Sequence, residues 1–499
     1  MQASQYSTKL CRKRKPKYFT VFQTELFMNL RENKMKKLIT LFILVAFGFT
    51  VQAQEKGSVL IQNATVITVT NGDLEDTDVL IRDGIIEEIG KDLRAPRGVE
   101  TVDASGKFVM PGIIDAHSHL NGVDINEARN PVTAEVTMEE SVDPNEVGIY
   151  HALAGGATTI HLMHGSANVI GGQGETLKLR YGVSQEEMKF EDASRTIKFA
   201  LGENPTRVHG QGNGVQPRTR MGVEQVVRGH FDEALDYKRK REAYLEAKAE
   251  FDRRGRGTPP VPVAKNLRYE VLNDIIEGEI LVHCHSYRAD EILMLMRVFN
   301  DYGVENYTFQ HANEAFKVAP ELAKNGAHTS VFSDWWAYKF EVYYSTAYNA
   351  SILNANGVVN SINSDNDQLL RTLNHEAAKV VRYGNTSVND ALKMITLHPA
   401  IQLGIDDRVG SIEEGKDGDV VIWSGHPFDI YSKAEMTFVD GTKYFDLAND
   451  ADDMRIHINP GTEFEDGSNF RRIVDNREED ACLQDTFILL GEQSAHNHN

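Results

Sequence analysis

"PGIIDAHSHL", residues 111–120, ends an apolar run with His117 and His119 one residue apart and Asp115 two residues before them. In a strand alternate side chains share a face, so positions 115, 117 and 119 point the same way. Two imidazoles so aligned can hold one metal ion. A lone pair also arises by chance, so the surrounding sequence has to decide.

Outward from this stretch, the middle of the chain (111–407) alternates short apolar runs with helical segments. Candidate strands are "GIIDAH" (112–117), "ATTIHLM" (157–163), "TIKFALGE" (196–203), "EILVHCH" (279–285), "YTFQHA" (307–312), "HTSVFS" (328–333) and "VVNSINSD" (358–365). Strand alternating with helix implies a parallel sheet. A charged insert at 209–266 carries "DEALDYKRKREAYLEAKAEFDRRGRG" and then the breaker "TPPVP". It reads as a solvated helix projecting from the fold, with a lid as the alternative. Without it the segment approaches the roughly 250 residues of a (β/α)8 TIM-type barrel, with seven strands read and the eighth inferred.

A barrel of this kind carries its chemistry at the C-terminal ends of its strands. His117 and His119 end the first, His283 and His285 end "EILVHCH", His311 ends "YTFQH", and Asp365 ends "VVNSINSD". Glu203 ends "TIKFALGE", with Lys198 deeper in the same run. A single strand-end His is more often hydrogen-bonded than metal-bound, and a single Asp there is more often a helix cap. Five strands ending in such residues point together to a divalent metal centre. "MHGSANVIGGQGE" (163–175) reads equally as a tight loop or as backbone approaching a ligand, through Gly171, Gly172 and Gly174. His164 beside it is a candidate substrate contact, while His161 and His398 read as structural.

The flanks differ in texture. Residues 54–110 and 408–445 are rich in short strands, with Asp83-Gly84 and Asp440-Gly441 as hairpin turns. They predict a small β-sandwich domain assembled from both ends of the chain, followed by an acidic C-terminal extension at 446–499. "MKKLITLFILVAFGFTVQA" (35–53) reads as a secretory signal peptide with translation starting at Met35, residues 1–34 being an upstream extension. The expectation is export to the periplasm or beyond, with no membrane attachment after cleavage; an uncleaved anchor is the alternative.

The 499 residues carry a formal charge of −20, which argues against a nucleic-acid partner. Of the three cysteines, Cys284 and Cys482 lie beyond the leader and are too far apart in sequence to make a disulfide framework.

"VMPGIIDAHSHL", "VHCHSYRADEI", "FQHANEAFKVAPELAKNG", "SINSDND" and "TLHPAIQLGIDDRVGSIEEGKDGDVVIWSGHPF" together resemble the amidohydrolase superfamily, in its imidazolonepropionase-like and prolidase-like branch. The resemblance covers roughly 57–445. It implies a metal-dependent hydrolase with ligands from strands one, four, five, six and eight. His117 and His119 match the first-strand pair, His311 the sixth-strand ligand, and Asp365 the eighth-strand aspartate, which is also the catalytic proton carrier. His283 best matches the fifth-strand ligand, with His285 as the alternative ligand or a substrate contact. On the fourth strand either Lys198, carboxylated, or Glu203 bridges two metals, and Glu203 is favoured because it needs no modification.

The implied reaction is hydrolysis of a C–N bond in a cyclic amide, dipeptide or N-acyl amino acid by hydroxide on one or two divalent ions, zinc by default. The alternatives are a purine-like deaminase and a catalytically dead binding relative. The expected partner is a small-molecule substrate, and a homo-oligomer is allowed for.

Overall fold

The computed structural model describes residues 56–449 except residue 337. The leader, the upstream extension and all but the first residues of the C-terminal extension lie outside the described residues. Within the described part, β1 (Val59–Ile67), β2 (Asp73–Arg82), β3 (Ile85–Gly90), β4 (Glu100–Asp103) and β5 (Phe108–Pro111) come first. A second series follows: β6 (Ile113–Ser118), β7 (Ala157–Leu162), β8 (Ile170–Lys178), β9 (Thr196–Ala200), β10 (Leu281–Ser286), β11 (Tyr307–His311), β12 (His328–Val331) and β13 (Asn360–Ile362). Near the far end come β14 (Val420–Trp423), β15 (Ala434–Val439) and β16 (Thr442–Asp446).

Strands β6 to β13 pair in chain order into one nearly closed eight-stranded sheet. All seven expected strands are there, most of them shorter than the apolar runs suggested. The eighth is β8, and it runs antiparallel to both β7 and β9. The glycine-rich stretch expected as a loop or ligand cradle is therefore a strand, and the barrel departs from eight parallel βα units at that place. The edges of β6 and β13 are joined by main chain from outside the sheet: Ile114 N–H donates to Ile395 O and Ile362 N–H to Met394 O, both at 2.9 Å. Each of these edge N–H groups thus finds a main-chain partner.

The strands from the two ends of the chain form the other sheet, in the order β16-β15-β14-β5-β1-β2-β3, with β4 on β1. Its side chains Ile61, Val66, Val79, Ile81, Val109, Ile422 and Phe438 form a core of their own. Lys178, at the end of β8, ties this sheet to the barrel. Its buried ammonium reaches Asp417 and Asp440 at 2.6 Å and Asp419 at 3.1 Å. Arg180 adds a bond to Asp440, and Arg408 one to Asp417. Burial pulls the Lys178 ammonium down, and the three carboxylates outweigh it, holding it above its ordinary value. Lys178→Met is expected to lower the unfolding free energy by about 3–5 kcal/mol, because it leaves buried Asp419 without its cation and takes one of two from Asp417 and Asp440. Urea unfolding of the variant beside the parent measures this.

The charged insert is one helix of 35 residues, Arg220–Arg254. Val223, Val226, Val227, Phe231, Ala234 and Tyr237 are buried, at the spacing of one helical face. From Lys238 to its end no side chain of the helix is buried. The expected projecting helix is thus its second half only; the first half belongs to the barrel's coat. No described helix is long and apolar enough to cross a membrane.

Candidate metal centre

Strand register sets the level at which each candidate residue stands. His283 pairs with Lys198 and His285 with Ala200 across β9 and β10, so these side chains stand on one face at successive levels. Across β10 and β11, His285 pairs with Gln310. Alternation would send His311 to the opposite face. At His311 the backbone turns left-handed, with φ 63°, and Asp365 does the same with φ 47°. Non-glycine residues rarely hold that conformation, and where they do the strain tends to serve a site. Both side chains face the cluster.

His117, His311 and Asp365 offer donor atoms all within 4.8 Å of one another. Asp365 Oδ1 lies 3.2 Å from His117 Nε2 and 3.4 Å from His119 Nε2, and Oδ2 lies 3.9 Å from His311 Nε2. Lys198 Nζ is 3.2 Å from His117 Nε2. The His285 ring centre is 4.7 Å from that of His311, itself 4.6 Å from that of His117. Asp115, on the same face, accepts from the His117 and Ser364 N–H groups and from the Ser364 hydroxyl. It fastens the end of β6 to the segment that carries Asp365, and burial pushes its carboxyl up to about 7.

Outward hydrogen bonds aim the imidazoles. His119 Nδ1–H donates to Met163 O at 3.0 Å, and His285 Nδ1 meets the Ser166 hydroxyl at 2.9 Å. The Nε2 atoms of both are buried and have no hydrogen-bond partner. Burial first, then the Lys198 charge, holds His117, His119 and His311 well below the ordinary histidine range. Neutral imidazoles with inward lone pairs thus face a carboxylate, which supplies only lone pairs of its own. Beside the Lys198 amine, such a set of imidazole and carboxylate lone pairs is the donor set a divalent ion takes. The residues fit a metal.

Four expected placements differ. Glu203 does not belong to the cluster: β9 stops at Ala200, and Glu203 opens a short helix, its carboxylate 3.1 Å from Arg207 and 3.7 Å from Lys339. His283 sits deeper in the barrel than His285, 4.4 Å from the His161 ring centre and bonded to Gln310. His164 spends both ring nitrogens on backbone, accepting from Glu127 N–H and donating to Gly165 O at 2.9 Å each. Both ring nitrogens are thus committed to main chain. Gly172 lies inside β8, where a Cβ would come within 2.6 Å of Val136 and 3.0 Å of His164. Gly172→Ala is therefore expected to cost about 1–3 kcal/mol of stability by overpacking. Thermal unfolding reads that loss, and KM should stay within about two-fold.

Gln310, Ser166 and Tyr287 were not picked out by sequence reasoning. Tyr287 stacks on His311 with ring centres 5.3 Å apart, and the buried Lys339 ammonium lies 4.3 Å from the Tyr287 ring centre. Gln310 was open to detection, because it precedes His311 at the position aligned with His285.

The model of the amidohydrolase family matches residues 278–457. The crystal structure of an amidohydrolase from Thermotoga maritima superposes with a TM-score of 0.71 at 35% identity, covering 78% of this chain and all of that one. The amidohydrolase tasK of Hapsidospora irregularis is 30% identical over 396 residues, 74% of this chain. The match spans only 40% of that relative's length. A dihydroorotase of Pelobacter propionicus is 39% identical over 113 residues, 23% of each chain.

Proposed function

Because the chain belongs to the amidohydrolase family of metal-dependent hydrolases of carbon–nitrogen bonds, we propose that it hydrolyses a cyclic amide, a dipeptide or an N-acyl amino acid at the mouth of its barrel. The observation that carries this reading is the convergence of imidazole lone pairs on Asp365, with the Nε2 atoms of His119 and His285 buried and unpartnered. The stretch shared with a protein named dihydroorotase supports cleavage of a C–N bond.

In this reading His117, His119, Lys198 as its carbamate, His285, His311 and Asp365 hold one or two divalent ions. Zinc is the default for an imidazole and carboxylate set. The ion supplies Lewis acidity and lowers the pKa of water from 15.7 to about 7. Asp365 does the proton work. Its carboxylate takes a proton from water as the water oxygen bonds to the amide carbon, then delivers that proton to the nitrogen as the C–N bond breaks. The products are a carboxylic acid and an amine. Tyr287, Phe332 and Trp335 wall the site, with Phe332 stacked on both His311 and Trp335, and they exclude water from the reacting bond.

The same reading takes the terminal sheet as the expected β-sandwich, folded over its own core, and residues 35–53 as a cleaved export leader. Metal analysis of the purified protein, followed by a screen of lactams, dipeptides, N-acyl amino acids and purines, tests the function. Zinc near one or two equivalents with turnover of an amide supports it. Turnover of purines alone points to the deaminase, and absence of metal with no turnover sinks the hydrolase. N-terminal sequencing of exported protein tests the leader.

A further inference from the structure

Gln310 lies between three groups, and one of them fixes its direction. Its Nε2 is 3.3 Å from Ala116 O and 2.9 Å from His283 Nδ1, and its Oε1 is 3.1 Å from His117 Nδ1. A main-chain carbonyl can only accept, so the amide nitrogen must face Ala116. That leaves Oε1 for His117, whose Nδ1 must then carry the proton. The Nε2 lone pair of His117 is turned inward, where Lys198 Nζ meets it at 3.2 Å.

The second amide N–H points to His283 Nδ1, which therefore accepts. A neutral imidazole accepting at Nδ1 carries its proton on Nε2 and has no lone pair left for a metal. The His283 Nε2 is buried and has no hydrogen-bond partner of its own. We propose that His283, although it lies in the "HCH" pair, is a positioning residue: with Gln310 it locks His117 in the Nδ1–H form and leaves His285 as the fifth-strand ligand. The chain of control runs from Ala116 O and His283 through Gln310 to His117. Hydrogen bonds of this outer kind orient ligands and set their basicity.

The inference rests on the metal-hydrolase reading, and its test separates the two. The full chain is stripped and titrated with zinc against a chromophoric chelator, and its cobalt(II) form is read by visible absorption. In His283→Asn the new Oδ1 takes the place of Nδ1 and still accepts from Gln310. Zinc affinity should stay within about three-fold of the parent, with the cobalt spectrum unchanged. In His285→Asn affinity should fall more than about 100-fold. Gln310→Met, close in shape but without the amide, should weaken zinc about 10- to 100-fold and alter the cobalt spectrum. A His283→Asn protein that loses zinc as His285→Asn does would make His283 a ligand and overturn the proposal. So would a Gln310→Met protein with parental affinity and spectrum. A parent chain that binds no zinc removes the hydrolase reading, and this inference with it.

Discussion

Asp365→Asn is expected to lower kcat about 10³-fold, a barrier rise of about 4 kcal/mol, while the protein keeps its fold and most of its metal. Three observations set that expectation. Asp365 stands within 3.9 Å of three imidazole nitrogens and is buried, so its carboxylate is the acid–base group closest to the cluster. Its backbone is left-handed at φ 47°, a conformation asparagine tolerates about as well as aspartate, so the exchange does not strain the loop. Its N–H donates to His117 O at 3.1 Å, a bond the substitution keeps. An amide can still offer one oxygen to a cation, but it cannot take up a proton near neutral pH. Steady-state kinetics on the substrate found by screening, with zinc content by atomic absorption, measure both halves. Activity lost in proportion to zinc would mean that Asp365 serves only to hold metal.

Some of this site was legible in the sequence because strand alternation carries it. His117 and His119 share a face by spacing alone, as do His283 and His285, and each pair lies at the end of an apolar run as a barrel demands. Alternation could not choose between His283 and His285, since both satisfy it. The choice depends on depth along the strand and on Gln310, a side chain from the neighbouring strand. His311 and Asp365 were found through their position at strand ends, but their orientation comes from left-handed backbone, which no spacing reveals. Strand β8 was missed because Gly171, Gly172 and Gly174 resemble a loop. They are small because His161, His164 and Val136 pack onto the strand at distances no Cβ would allow. The helical insert was drawn too wide for a related reason: its charge density hid the buried face from Val223 to Tyr237.

Lys198→Ala should separate the two fourth-strand candidates that spacing left open. The five-residue offset between Lys198 and Glu203 meant that an unbroken strand could aim only one of them inward, and the structure places Lys198 Nζ beside His117. Glu203 lies past the end of β9 among cations, bonded through its main chain to Glu341. Loss of the lysine is expected to reduce kcat/KM about 10³-fold, or about 4 kcal/mol, and to lower bound zinc. Glu203→Gln removes ion pairs that lie apart from the histidine cluster and should leave zinc content unchanged and kcat/KM within about three-fold. The lysine also predicts a dependence that a glutamate cannot. An amine takes up carbon dioxide as a carbamate with release of a proton, so reloading stripped protein with zinc should recover more activity in bicarbonate than without it. The gain should be present in the Glu203→Gln protein and absent in Lys198→Ala. Recovery that ignores bicarbonate, together with zinc lost from Glu203→Gln, would return the bridging role to the glutamate and require β9 to rearrange beyond Ala200 when metal enters.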